Sequence, residues 1–142
     1  MGKVMTKLSL WNNTDLDNAD QGLIAREAVR LEEIDALVDT GATMLVLPID
    51  VCERLGLTVL DSRKVRLADG SVREIPHLGG LRLSILGRQM VCDVLAMPVG
   101  TPALIGQIPL EALDLIVDPK AREVRVNPAS PDMPLLDLLR AA

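Results

Sequence analysis

A chain of 142 residues is long enough for one domain with a buried core, since a domain near this size removes about 68–70% of its unfolded surface from water. Fifteen basic against 20 acidic side chains leave a net charge of −5, and Trp11 is the sole aromatic, which argues against nucleic acid as a partner. The apolar 49% is almost wholly aliphatic, and charge-free runs such as 40–49 and 97–110 fall short of the roughly 20 residues a membrane span needs.

The first residues show neither the apolar run nor the cleavage site of a secretory signal, so a cytoplasmic location is expected. Cys52 and Cys92 form no CxxC and lie far from the single histidine, so they encode neither a zinc site nor a disulfide framework. Two reduced, buried thiols are expected, with no metal and no cofactor.

Period-two alternation of aliphatic residues, punctuated by Gly, Pro, Asn and Asp, predicts an all-β plan with one or two short helices. Val4–Leu10 reads as a first strand and Asn12–Gly22 as a polar, mobile surface loop. Ala25–Leu31 and Ile34–Val38 read as successive strands, the second delivering Asp39-Thr40-Gly41. Pro48 inside the start and Gly56 past the end mark a two-turn helix through Val51, Cys52 and Leu55. Arg63–Leu67 and Val72–Ile75 flank Ala68-Asp69-Gly70-Ser71, where Asp-Gly between alternating apolar residues signals a projecting hairpin. A second hairpin is expected at Leu81–Leu86 and Gln89–Ala96 around Gly87-Arg88. Ala103–Ile105 is a short strand before Gly106, Pro109–Leu113 a small helix, and Leu115–Val117 with Glu123–Val126 a last hairpin around Pro119-Lys120. Leu135–Arg140 adds a helical turn or frays. One domain spans 1–142, with its core at about 25–127 and a tail at 128–142.

Asp39-Thr40-Gly41 is the most informative triplet, because a carboxylate just after a buried apolar strand is costly unless something uses it. An apolar strand enters through Ala36-Leu37-Val38 and another leaves through Met44-Leu45-Val46-Leu47, which a solvated turn would not need. The segment resembles the active-site loop of the retropepsin-like aspartic proteases. Leu104-Ile105-Gly106 with Gln107–Leu113 is similar to that family's later apolar-apolar-Gly segment and helix, and Thr101-Pro102 is similar to the retroviral pattern ahead of it. The likeness covers about Ile34 to Val117.

What the resemblance implies is specific. The fold would be a closed barrel with a flap hairpin, and the activity peptide-bond hydrolysis by paired carboxyls, one acting as base on water and one as acid. The chain holds a single triplet, so Asp39 would meet Asp39 of a second copy, and the working unit would be a homodimer with a peptide or protein substrate between subunits. Thr40 would lock the two loops together, Gly41 would admit substrate backbone, and Ala42 would be the small residue after them. The Val65–Ile75 hairpin would be the flap, through Leu67, Ala68, Asp69, Gly70 and Ser71, with Asp69-Gly70 its tip. Leu45, Leu47, Pro102, Ala103 and Leu104 would wall the substrate pockets, and Ile105, Gly106 and Gln107 would support the site. Thr43 and Gln107 stand where retroviral members carry an acid and an arginine, so a hydrogen bond is expected in place of their ion pair, and the strength of dimerisation is left open. A dimeric peptide-binding or assembly module without catalysis is the alternative these residues leave open.

The inventory disfavours other chemistries: no Ser or Cys sits in a nucleophile elbow, and the glycine-containing turns lack a Walker lysine. His77 is expected at the surface. Asp114 and Asp118 are expected exposed and without ligand-spaced partners.

Overall fold

The computed structural model describes residues 2–138. In chain order the elements are β1 (Met5–Asn12), α1 (Asn13–Asp20), a 3-10 turn (Arg26–Ala28), β2 (Leu31–Val38), β3 (Leu45–Pro48), α2 (Ile49–Leu55) and β4 (Thr58–Arg66). They continue with β5 (Val72–Ile85), β6 (Arg88–Met97), β7 (Leu104–Ile105), α3 (Gln107–Ala112), β8 (Leu115–Asp118) and β9 (Glu123–Val126). The main sheet runs β1-β2-β7-β3-β6-β5 and closes on itself where the second half of β5 returns to pair with β1. Closure leaves those six strands without a free edge, and among the described residues β4 hangs from the first half of β5 alone. The mostly-β content is what the alternation predicts, and the ring-like closure is in keeping with the barrel that the resemblance implies.

Inward-facing aliphatic side chains fill the ring. Leu8 and Leu10 of β1, Leu45 and Leu47 of β3, and Leu81 and Leu83 of β5 are fully buried and packed in one cluster. With no large aromatic available, the core is built from branched aliphatic groups whose burial contributes roughly 1.5–3 kcal/mol each. β1 lies outside the 25–127 span, yet it supplies two core leucines and the strand that shuts the ring. None of the helices among the described residues is long and apolar enough to cross a membrane.

α2 matches its sequence signals. Gly56 closes it in the left-handed region at φ 65°, and Val51, Cys52 and Leu55 turn into the core. Burial pushes the Cys52 thiol up to about 11 and the half-buried Cys92 thiol up to about 12, and both cysteines are free. The last hairpin, β8–β9, also forms in the expected place.

Three local expectations are corrected. Asn13–Asp20 is a helix and not a loop: the Asn12 side chain accepts from Asp15 N at 2.9 Å and donates to Leu55 O at 2.8 Å, so one buried amide caps α1 and fastens it to α2. Ala25–Leu31 is no strand, because Arg26, Glu27 and Ala28 are all exposed in a 3-10 turn, and the chain is instead gripped at Arg30 by the Asp15 carboxylate. The turn of the second hairpin is Leu86-Gly87, both at positive φ, and Arg88 already opens β6 as a buried residue. Residues 135–138 are not helical, while Leu139 and Arg140 lie outside the described residues.

Asp114 and Asp118 are half-buried and not exposed. The Asp114 carboxylate accepts from the Ser130 hydroxyl, from Asn127 Nδ2 at 2.9 Å and from Leu135 N at 3.0 Å, and it lies beside Arg88, whose guanidinium donates to Leu113 O, Asp114 O and Ser130 O. The segment after β9 is therefore pinned to the body of the fold. The Ser130 hydroxyl first, then the Asn127 amide and the Leu135 N–H, hold the Asp114 carboxyl at about 2. A folded value below the unfolded one, ordinarily about 3.9, stabilises the pinned state fully above that pH and loses it as pH falls through about 2. Hydrogen exchange at the Ser130 and Leu135 amides is expected to lose protection over that acid window. Asp114→Ala should show low protection there already at neutral pH, and an unchanged variant would contradict the pinning role.

Candidate active site

β2 and β3 are consecutive, yet they are not neighbours: β7 lies between them, parallel to β2 (Leu37↔Leu104, Val38↔Ile105) and antiparallel to β3 (Leu45↔Ile105, Val46↔Leu104). The connection between β2 and β3 must therefore arch over the end of β7, and that arch is Asp39–Met44. Hydrogen bonds stitch the two segments. Leu37 N donates to Ala103 O, Asp39 N to Ile105 O, Gln107 N to Ala42 O and Ile108 N to Thr43 O, all at 2.9–3.0 Å.

Within the arch, Ala42 N donates to Asp39 O at 3.0 Å and Gly41 N to Asp39 Oδ1 at 2.9 Å. The carboxylate is thus oriented by its own turn, an Asx arrangement. It remains exposed, as do Thr40 and Gly41, while Ala42 is half-buried. The strand that delivers it is less buried than expected, with Ala36 alone fully buried on β2, but a carboxylate held at the surface by a clamped backbone is preorganised for an external partner.

Gly106 is required by space. Its backbone is extended, so conformational freedom plays no part, but an added Cβ would sit 2.6 Å from Ala42 O and 2.7 Å from Met44 O. The arch and the start of α3 touch backbone to backbone.

The structure thus brings Asp39, Thr40, Gly41 and Ala42 together with Ala103, Leu104, Ile105, Gly106 and Gln107. Leu104 is half-buried and Pro102 exposed. Leu45 and Leu47 are corrected: both are fully buried core residues and line no surface of this chain, because on β3 the period of two turns Val46 and Pro48 the other way. Ala103, 7% exposed, is also largely core. Thr43 and Gln107 do not replace the missing ion pair by a side-chain bond to each other; Gln107 Nε2 donates to Glu111 Oε1 at 2.8 Å along α3.

Leu67–Ser71 form the tip of a hairpin that is longer than expected, with β4 and β5 in register from Asp61↔His77 to Arg66↔Val72. Gly70 N donates to Leu67 O, Leu67 N to Ser71 O, and both Ser71 N and Oγ donate to Asp69 Oδ1. Gly70 takes φ 87°, the left-handed residue that such a three-residue loop demands. On β4 only Val65 is half-buried, and its cross-strand partner Arg73 shares a face with the buried Ile75. Among the described residues the tip shares no hydrogen bond with the Asp39 arch. Near the root of this hairpin, Ile49, Ile75, Pro76, Ala96, Met97 and Pro98 line most of a cavity of about 430 Å³.

His77 is corrected as well. It is 4% exposed on β5, with both ring nitrogens against carboxylates, Asp61 on β4 and Asp93 on β6. Its spacing of two from Ile75 carried the signal.

No curated protein sequence matches the chain. The model of the aspartyl protease family matches residues 29–108, which run from just before β2 through the Asp39 arch, the β4–β5 hairpin and β7 into α3. Matched over more than half its length, and with the family's Asp-Thr-Gly held on a clamped arch, the chain belongs to that aspartyl protease family of the retropepsin-like clan.

Proposed function

We propose that the chain is an aspartic endopeptidase that works as a homodimer, with Asp39 of each copy facing the other across a two-fold axis and an extended peptide bound between subunits. The reading is supported above all by one observation: an exposed Asp39 carboxylate, fixed by Gly41 N and by an arch that Ile105, Gln107 and Ile108 fasten. One carboxyl cannot both take a proton from water and give one to the carbonyl. Two in contact share a single proton, because like charges at about 3 Å cannot both ionise, and together they supply base and acid. Water attacks the scissile carbonyl, a tetrahedral intermediate forms, and the nitrogen leaves protonated with no acyl-enzyme. Thr40 braces the paired loops, the β4–β5 hairpin closes over the peptide as a flap, and Leu104 with Pro102 flanks the cut bond. Two free thiols suit the reducing cytoplasm.

A peptide carrying a hydroxyl at the tetrahedral position is expected to bind at least about 100-fold more tightly than the matching plain peptide, because only a catalyst favours the transition-state geometry. Equal affinities, measured by calorimetry at concentrations where the chain sediments as a dimer, would instead establish a peptide-binding module. That second reading is favoured by one observation: the Gln107 amide, which stands where a retroviral arginine would form an ion pair, donates to Glu111 along its own helix and not to Thr43.

A further inference from the structure

We infer that His77 is a positioning residue for the β4–β5 hairpin, an imidazolium that ties β4 to β6 across β5 and fixes the stance of the hairpin at its root. This rests on reading that hairpin as the flap. His77 Nδ1 lies 2.8 Å from Asp61 Oδ1 and Nε2 lies 3.0 Å from Asp93 Oδ2. An ionised carboxylate only accepts, so each ring nitrogen must bring a hydrogen, and a neutral imidazole has one. Both bonds exist together only when the ring is charged.

The surroundings fit that charge. Facing His77 from β4 are Asp61 and, bonded to the same carboxylate, Arg63; from β6 comes Asp93. Two carboxylates and one guanidinium leave one negative charge, which the imidazolium cancels. Arg63 first and His77 second hold the Asp61 carboxyl below its usual range, so it stays an acceptor in mild acid, where a shared-proton carboxyl pair operates.

The clamp also sits where the backbone ladder is weakest. The β4–β5 register slips between Val59 and Asp61, and the β5–β6 register slips between Leu78 and Leu81. Gly79 lies in the second irregularity, and a Cβ there would crowd Leu60 Cδ1 at 2.8 Å and approach Asp93 Oδ1 to 3.4 Å. Among the described residues β4 has no sheet neighbour other than β5. The side-chain bridge through His77 therefore joins β4 to the closed ring at the point where main-chain pairing lapses. Loss of the ring proton aims a bare nitrogen at a carboxylate, breaks one charge-assisted bond and frees the hairpin to swing.

The only histidine in the chain makes the test clean. In the intact protein, protection factors of amides 64–74 should fall about tenfold or more over the same pH range in which the ring signals of His77 titrate, the size expected for one charge-assisted bond. Peptide KM should rise in that range with kcat little changed. Asp93→Asn is the rescuing variant: its NH₂ can donate to the bare Nε2 of a neutral Nδ1–H ring and its carbonyl can accept from Nε2–H of a charged one, so the pH step should vanish while the hairpin stays protected. Protection that ignores the titration of His77, or an Asp93→Asn variant that keeps the step, overturns the inference. No cleavage at any pH with the protection step intact overturns the protease reading and leaves the clamp standing.

Discussion

Asp39→Asn is expected to lower kcat/KM by at least about 1,000-fold while leaving the fold in place, since positioned acid–base groups supply factors of roughly 100–10,000 each and the pair acts as a unit. The side chain is exposed, and its one bond among the described residues, from Gly41 N to Oδ1, can be kept by an asparagine carbonyl. The thermal midpoint should therefore move by no more than about 2 °C, as for most surface substitutions. Mixing gives a sharper result. If each site is built from two copies, a heterodimer of wild type and variant holds only one ionisable carboxyl, and activity should fall as the square of the wild-type fraction at fixed total protein. A linear fall, or cleavage by the pure variant, would show that a single chain carries the reaction and would defeat the proposed mechanism.

That the Asp39 arch was legible while parts of the frame were not has a physical reason. The Asp39-Thr40-Gly41 arch, α2 between Pro48 and Gly56, and the tip at Asp69-Gly70 are all set by local backbone demands, which particular residue types satisfy and so announce. α1 is different, because its sequence NTDLDNAD has little apolar periodicity and the helix is held by Asn12 and by Asp15 gripping Arg30. Only the Asn12-to-Asp15 spacing of a cap hints at it. Ring closure by β1 depends on pairing with Leu81–Ser84, some seventy residues away, and nothing local encodes it. The burial of His77 is likewise nonlocal, since both acids that satisfy it come from neighbouring strands. The resemblance puts Leu45 and Leu47 in a pocket, whereas their period-two spacing with Val46 and Pro48 marks a face, and that face is the core.

Gly106→Ala should be the most damaging small substitution in the chain. The added carbon would meet Ala42 O at 2.6 Å, Ala42 C at 2.7 Å and Met44 O at 2.7 Å, and all three are backbone atoms that cannot rotate away. Relief requires α3 to back out of the arch, which stretches the bonds from Gln107 N to Ala42 O, from Ile108 N to Thr43 O and from Asp39 N to Ile105 O together. Overpacking costs about 1–3 kcal/mol, and each weakened bond adds roughly 0.5–1.5, so a loss of about 3 kcal/mol or more is expected. For a domain of this size that lowers the thermal midpoint by about 10 °C. Ile105→Val, next door and fully buried, removes one methyl group and should cost only about 1 kcal/mol, which separates crowding from ordinary core loss. Because the displaced arch carries Asp39, peptidase activity at temperatures where Gly106→Ala is still folded should fall about 100-fold, the penalty for shifting a reacting group by roughly 1 Å. A variant with wild-type stability would mean that the arch and α3 can part without cost, and the clamped geometry could then no longer be what orients the carboxylate.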